Sequence, residues 1–404
     1  MEENFDIEEV KPVKKKKLKW LAPTIAAVLG LTIGAGGMKI YDHIQYLRRT
    51  EDLYAKVATV QYILDNEYLY EYDESVLADY AALGMVIGLD DPYTMYYSAE
   101  EFSDYSDSGN GDFVGIGIIV TANYEQNVIQ IESVIKGGPS EKAGIKAGDI
   151  LFAVDGTEYS AMEYAEAIAK VRGMDEEGGS VGKSVNITVL RGGEKISFDI
   201  IREKVHTESV ESKLLSDEIG YIKISEFNSS DGVNPDTYEE FKSHYNSLKT
   251  QGAKKLVIDL RDNGGGDLDV VVNIIDMLVP KGNIMYSEDK HGRRDYIKSD
   301  SEETDMPIAV VVNGQSASAS ELMTGALKDY QKATVVGTKT YGKGVMQRVY
   351  PFTDGSAMVV TVAKYYTPNG TCVQDEGITP DIVIEPGEGE EDVQLNKAIE
   401  ILSE

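Results

Sequence analysis

The chain has 404 residues, 42% of them apolar, enough for two or three cores at roughly 100 to 200 residues per domain. Its 69 acidic residues against 39 basic ones leave a net charge of -30, which argues against a nucleic-acid ligand whose phosphates it would repel. The single cysteine, Cys372, excludes an intrachain disulfide framework and any multi-cysteine metal site, and reads as a small half-buried residue.

From the N-terminus, "KPVKKKKLKW" opens an uncharged stretch from Trp20 to Met38. As a helix it would be about 28 Å long, close to the hydrocarbon thickness of a bilayer. The lysines that crowd positions 11 to 19 place residues 1–19 on the cytoplasmic side by the positive-inside rule, with the rest of the chain extracytoplasmic. A cleaved signal peptide is the competing reading, because Gly34, Ala35, Gly36 and Gly37 would suit a peptidase site. Ala26, Gly30 and Gly34 form a small-residue stripe suited to pairing two such helices, which leaves room for a homodimer.

Residues 49–108 read as helical and acidic, with Leu53, Val57, Val60 and Leu64 at helical spacing and a second helix over "ESVLADYAALGMVIG". "LDDPYTMYYSAEEF" breaks that pattern at Pro92, and "SDSGNGD" reads as a flexible joint. A module of short strands follows over 111–202. Gly115 and Gly117 flank Ile116 at the head of a strand, where backbone amides can turn inward toward a carboxylate. "QNVIQIESVI" and "DILFAVDG" are strands, "EYAEAIAKVRG" is an amphipathic helix, and "SVNITVLRGGEKISFDIIR" is a hairpin turning at Gly192 and Gly193. This module resembles a PDZ domain of the bacterial processing-protease type, with "GIGI", Gly115 to Ile118, in the place of the carboxylate-binding loop.

From about residue 205 the β-branched runs "GYIKISEFN", "KKLVIDLRDN", "PIAVVVNG" and "KATVVGTK" alternate with helical segments, which implies a largely parallel α/β sheet. "RVYPFTDGSAMVVTVAKYYTP" adds a hairpin at Asp354 and Gly355. Ligands on such sheets sit at the carboxyl ends of the strands, where "NGQSASASE" places three serines on alternate positions. Ser318 and Glu321 fit a capping box, so Ser318 serves either as a helix cap or as a nucleophile on a strand-to-helix turn. A nucleophilic serine needs a base. His43, His206, His244 and His291 all fall outside apolar strand ends, whereas "TKTYGKGVMQ" offers Lys343 between two glycines, with Gln347 four residues on.

"NGQSASASE" followed by "GTKTYGKGVMQ" resembles the serine and lysine motifs of the carboxyl-terminal processing, or tail-specific, serine peptidases. "DLRDNGGGDL", "LDDPYTMYYSAEEF" and "KYYTPNGTCVQDEGITPDIVI" resemble further motifs of that family, so the likeness runs from about residue 50 to the end. It implies a crotonase-like α/β peptidase core over 205–404, with Ser318 as nucleophile, Lys343 as general base and Gln347 supporting the lysine. By the same resemblance, Gly265 and Ala319 supply the oxyanion-hole amides and Arg172 couples the PDZ-like module to the peptidase. No metal or cofactor is implied. An apolar wall should surround Lys343, since only desolvation makes a lysine a base near neutrality.

The expectation is therefore a multidomain α/β and β chain: a transmembrane helix over 20–38, a helical segment, a PDZ domain and a peptidase core. It is expected to be a single-pass membrane protein that binds protein or peptide C-terminal tails and cleaves with a Ser/Lys dyad. Two other readings stand beside it. One is a membrane-anchored peptide-binding scaffold with an inert protease fold, and the other is a Ser-His-Asp hydrolase in which His206 or His291 reaches Ser318.

Overall fold

The structure is a computed structural model that describes residues 53–173, 181–300, 303–387 and 391–404. The expected membrane helix at 20–38 and its basic flank lie outside the described residues. Among the described residues, no helix is long and apolar enough to cross a membrane.

The chain divides into two units, Met1–Leu77 and Ala78–Glu404. In the first, residues 53–67 form the expected helix. Of its apolar stripe, Leu53, Val57 and Val60 are exposed and Leu64 is half-buried. The second predicted helix runs Glu74–Ile87.

In the second unit, the strand Met95–Tyr97 leads into the helix Ala99–Gly109. The flexible joint expected at "SDSGNGD" is a correction, because the helix continues through its first residues to Gly109. The reason is local. Ser98 and Glu101 start the helix with a capping box, Asn110 closes it by donating to the Asp107 and Ser108 carbonyls, and Lys204 pairs with Asp107 at 2.9 Å.

The small β module is antiparallel throughout. Its order is Ile118–Asn123, Val128–Val134, Ile150–Val154, Ser184–Arg191 and Glu194–Ile201. Alternate residues Ile129, Ile131, Leu151, Ile187 and Val189 fill its core, as a period of two dictates. The predicted hairpin is present, with both Gly192 and Gly193 at positive φ, the conformation that a primed two-residue turn requires. Its entry strand Asp112–Gly115 pairs with its exit strand Glu203–His206, so both chain crossings lie side by side.

The larger body is built on a six-stranded sheet ordered Val210–Leu214, Ile219–Ile224, Lys255–Asp259, Ile308–Val312, Ala333–Gly337 and Ile382–Val383. Every pairing after the first is parallel. All five residues of Ile308–Val312 are buried, because helices cover both faces. Thr237–Thr250, Leu268–Leu278 and Ala319–Asp329 pack on one face and Val393–Ser403 on the other. A second, antiparallel sheet joins Met95–Tyr97, Ala357–Tyr366, Gly282–Asp289 and Arg294–Ser299, with Val345–Pro351 also on Ala357–Tyr366. The sequence reading has no counterpart to the hairpin 282–299, which turns between Asp289 and Arg294.

Candidate active site

The three serines of "SASAS" do different work. Ser316 and Ser320 are fully buried and spend their hydroxyls on the carbonyls of Leu260 and Asn263, at 2.7 and 3.0 Å. Ser318 is half-buried and lines a cavity of about 590 Å³. Its φ of 54° and ψ of -113° are a conformation that residues with a Cβ rarely adopt. Such strain is characteristic of a serine held on a sharp strand-to-helix turn. The hydroxyl stands at the N-cap of Ala319–Asp329 but makes no capping hydrogen bond of ordinary length.

What holds the turn is Glu321. Its carboxylate is 0% exposed and accepts from the Ser318 N–H at 3.0 Å, the Lys343 N–H at 2.8 Å, the Gly342 N–H at 2.7 Å and the Thr340 hydroxyl at 2.6 Å. One buried side chain therefore fixes the backbone of both the serine turn and the lysine loop. The Tyr365 hydroxyl reinforces this link, lying 2.9 Å from the Ser318 carbonyl and 3.0 Å from that of Lys343. Both residues belong to the site's framework, and the sequence reading missed them. The only signal was the S-x-x-E spacing, which disclosed the local contact to Ser318 and nothing of the loop it also binds.

Lys343, on the loop between Ala333–Gly337 and Val345–Pro351, lines the same cavity as Ser318 and Gln347. Leu322, Val345, Val349 and Val359 are among the residues lining that cavity. Burial lowers the Lys343 amine below its ordinary value. Its Nζ lies 5.0 Å from the centroid of the Tyr93 ring. Gln347 lies near but has a buried Nε2 with no hydrogen-bond partner among the described residues. Among the described residues no histidine lines the cavity: His206 bonds Asp112 and His244 bonds Ser212, at 3.1 and 2.7 Å.

At the end of Lys255–Asp259, Asn263 joins two turns. Its carbonyl accepts from the Ala317 N–H at 3.0 Å, and its side-chain oxygen accepts from the Gly265 N–H at 2.8 Å. The Gly265 amide, expected to be free for an oxyanion, is thus occupied by an Asx-type contact in this structure. Gly265 has a φ of 113°, and a Cβ there would come within 2.8 Å of the Ser318 Cβ, so only glycine fits. Ala319 begins its helix, where the N–H has no intrahelical acceptor.

In the small module Gly115 ends one strand, Ile116 is 1% exposed in the core, Gly117 turns at φ 74° and Ile118 begins the next strand. Ile118–Asn123 is an edge strand and can receive an added one. The Tyr164 hydroxyl donates to the Val120 carbonyl on this strand at 3.1 Å. Arg172 is exposed, with its guanidinium carbon 5.9 Å from the Phe113 ring centroid. It lines a cavity of about 740 Å³ together with Glu208, Ser209 and Glu226 of the larger body.

Residues 218–384 match peptidase family S41 and residues 130–191 match a PDZ domain. The "Probable CtpA-like serine protease" of Staphylococcus aureus (strain COL) is 37% identical over 334 residues, which cover 82% of this chain and 64% of that one. The protein of the same description from Staphylococcus saprophyticus is also 37% identical, over 82% of this chain and 65% of its own. The chain thus spans less than two thirds of the length of these relatives. Among solved structures, the photosystem II D1 C-terminal processing protease has a TM-score of 0.50 at 28% identity, covering 85% of this chain and 90% of its own. A Bacteroides fragilis structure shares the fold, with a TM-score of 0.54 at 18% identity over 78% and 87% of the two chains. Residues 218–384 are thus a peptidase family S41 domain with a PDZ domain ahead of it, and the chain is similar to carboxyl-terminal processing serine proteases.

Proposed function

We propose that this chain is a membrane-anchored, extracytoplasmic serine endopeptidase that recognises C-terminal tails through its PDZ domain and cleaves with Ser318 and Lys343. The observation that carries the reading is a strained Ser318 lining one cavity with a desolvated Lys343. In the mechanism, neutral Lys343 takes the Ser318 proton while Oγ attacks the peptide carbonyl. The protonated lysine then gives that proton to the departing amine, and water releases the acyl group by the same route. The oxyanion is received by the Ala319 N–H and by the Gly265 N–H, which exchanges the Asn263 oxygen for it. Gln347 lines the same cavity and would orient the lysine amine by accepting one of its N–H groups through its amide oxygen.

The free tail carboxylate is held by the amides of Ile116, Gly117 and Ile118, with the peptide added as a strand along Ile118–Asn123. Anchoring rests on the apolar stretch 20–38. The test is cleavage of an apolar-tailed protein by Ser318→Ala and Lys343→Ala chains with native circular dichroism. Both should be inactive, while activity in Ser318→Ala would refute the assignment. The inert-scaffold reading is disfavoured by the S41 match and by the intact Ser318, Lys343 and Gln347 set.

A further inference from the structure

The segment ahead of the PDZ domain reaches the base. Tyr93 places its ring 5.0 Å from the Lys343 Nζ, although 250 residues separate them in the chain. Asp91 fixes the ring's approach, accepting from the Tyr93 N–H at 3.0 Å and from the Thr94 hydroxyl at 2.6 Å. Thr94, 2% exposed, accepts in turn from the Thr361 N–H at 3.1 Å, and Met95–Tyr97 pairs with Ala357–Val359. The turn carrying Tyr93 is therefore locked to the sheet that holds Gln347, which pairs with Thr361.

We infer that Tyr93 is a positioning residue for the reaction: its ring keeps water off the Lys343 amine and so sets the pH above which the base is available. The inference rests on the proposed role of Lys343. A ring face has two opposite effects on an amine. Its quadrupole attracts an ammonium, whereas its bulk removes the water that would solvate one. The Lys343 amine is lowered by burial, which is the direction that water exclusion gives. The other ionisable groups nearby do not solvate Nζ. Glu321 is committed to backbone amides and the Thr340 hydroxyl, the Tyr365 hydroxyl lies on carbonyls, and Tyr341 and Asp375 bear on the Tyr93 phenol.

The experiment is the pH dependence of kcat/KM in the full chain with Tyr93→Phe, Tyr93→Val and Tyr93→Ala. Tyr93→Phe keeps the ring and should reproduce the wild-type profile. Tyr93→Ala should move the rising limb up by about one pH unit, costing about tenfold at a pH on that limb and little on the high-pH plateau, because the neutral amine then forms later. Tyr93→Val should fall between them and serves as the test if Tyr93→Ala does not fold. A rate lowered by the same factor at every pH, or a limb unmoved in the smallest folded variant, would overturn the inference. Failure of the underlying reading would look different: Lys343→Ala would itself remain active.

Discussion

Oε2 of Glu321 accepts the backbone N–H of Lys343 at 2.8 Å, and the same atom accepts that of Ser318 at 3.0 Å. The serine turn and the lysine loop come from separate strand ends, so this shared acceptor fixes the relation between them. Glu321→Gln replaces one carboxylate oxygen with a donor and faces two buried donors with it. Each buried group left unpaired costs about 1 to 3 kcal/mol, so we expect a loss of about 2 to 6 kcal/mol in chemical denaturation. kcat should fall more than KM rises, while tail binding to the PDZ domain is unchanged. Wild-type kcat in Glu321→Gln would show that the tie is not needed.

Lys343 should carry a stability signature opposite to its catalytic one. Its folded value lies below the unfolded 10.5, so over that window the unfolded chain binds more protons. The burial penalty is complete below the folded value and disappears as pH rises toward the unfolded one. Lys343→Met should therefore melt higher than wild type at pH 6, with the advantage shrinking toward pH 10. An advantage constant with pH would mean that packing, and not charge, is responsible.

The PDZ groove yields a prediction of its own. In the full-length Ser318→Ala chain, a free-acid apolar tail should bind about tenfold to a hundredfold more tightly than its amide, the worth of about 1.5 to 3 kcal/mol for a charge-assisted hydrogen bond. The Tyr164 hydroxyl occupies the Val120 carbonyl on the receiving strand, so Tyr164→Phe should tighten both ligands several-fold. Calorimetry measures both effects. Equal affinities for acid and amide would reduce "GIGI" to a strand entry.

Arg172 makes its described contact with Phe113 inside its own module and faces Glu208 and Glu226 only across a cavity. If it couples tail binding to cleavage, Arg172→Ala should leave tail affinity intact and abolish the stimulation of cleavage by a separate tail peptide. Unchanged stimulation would leave it a surface arginine.

How much of this was legible beforehand follows from the range of each interaction. The parallel strands, Gly192–Gly193 and the strand-end serines are written locally, in β-branched runs and turn residues. The choice among three serines on alternate positions came from motif likeness alone, and the burial that sets Ser316 and Ser320 apart from Ser318 is seen only in the structure. Tyr93 and Glu321 were not recoverable in the same way. Their partners lie 250 and 22 residues away, and no periodicity encodes a contact of that kind. The Gly265 amide is a further case: motif likeness supplied its expected role, while its contact with the carboxamide two residues back came only with the structure.

The central claim is that Lys343 is the base for Ser318. Its most direct test is the single-turnover cleavage rate of Lys343→Ala on an apolar-tailed protein, with folding verified and each histidine variant run in parallel. Loss of a general base is worth about 10²- to 10⁴-fold, so we predict at least a hundredfold loss for Lys343→Ala and near wild-type rates for every histidine variant. A Lys343→Ala rate within a few-fold of wild type, or a comparable loss on removing one histidine, would contradict it.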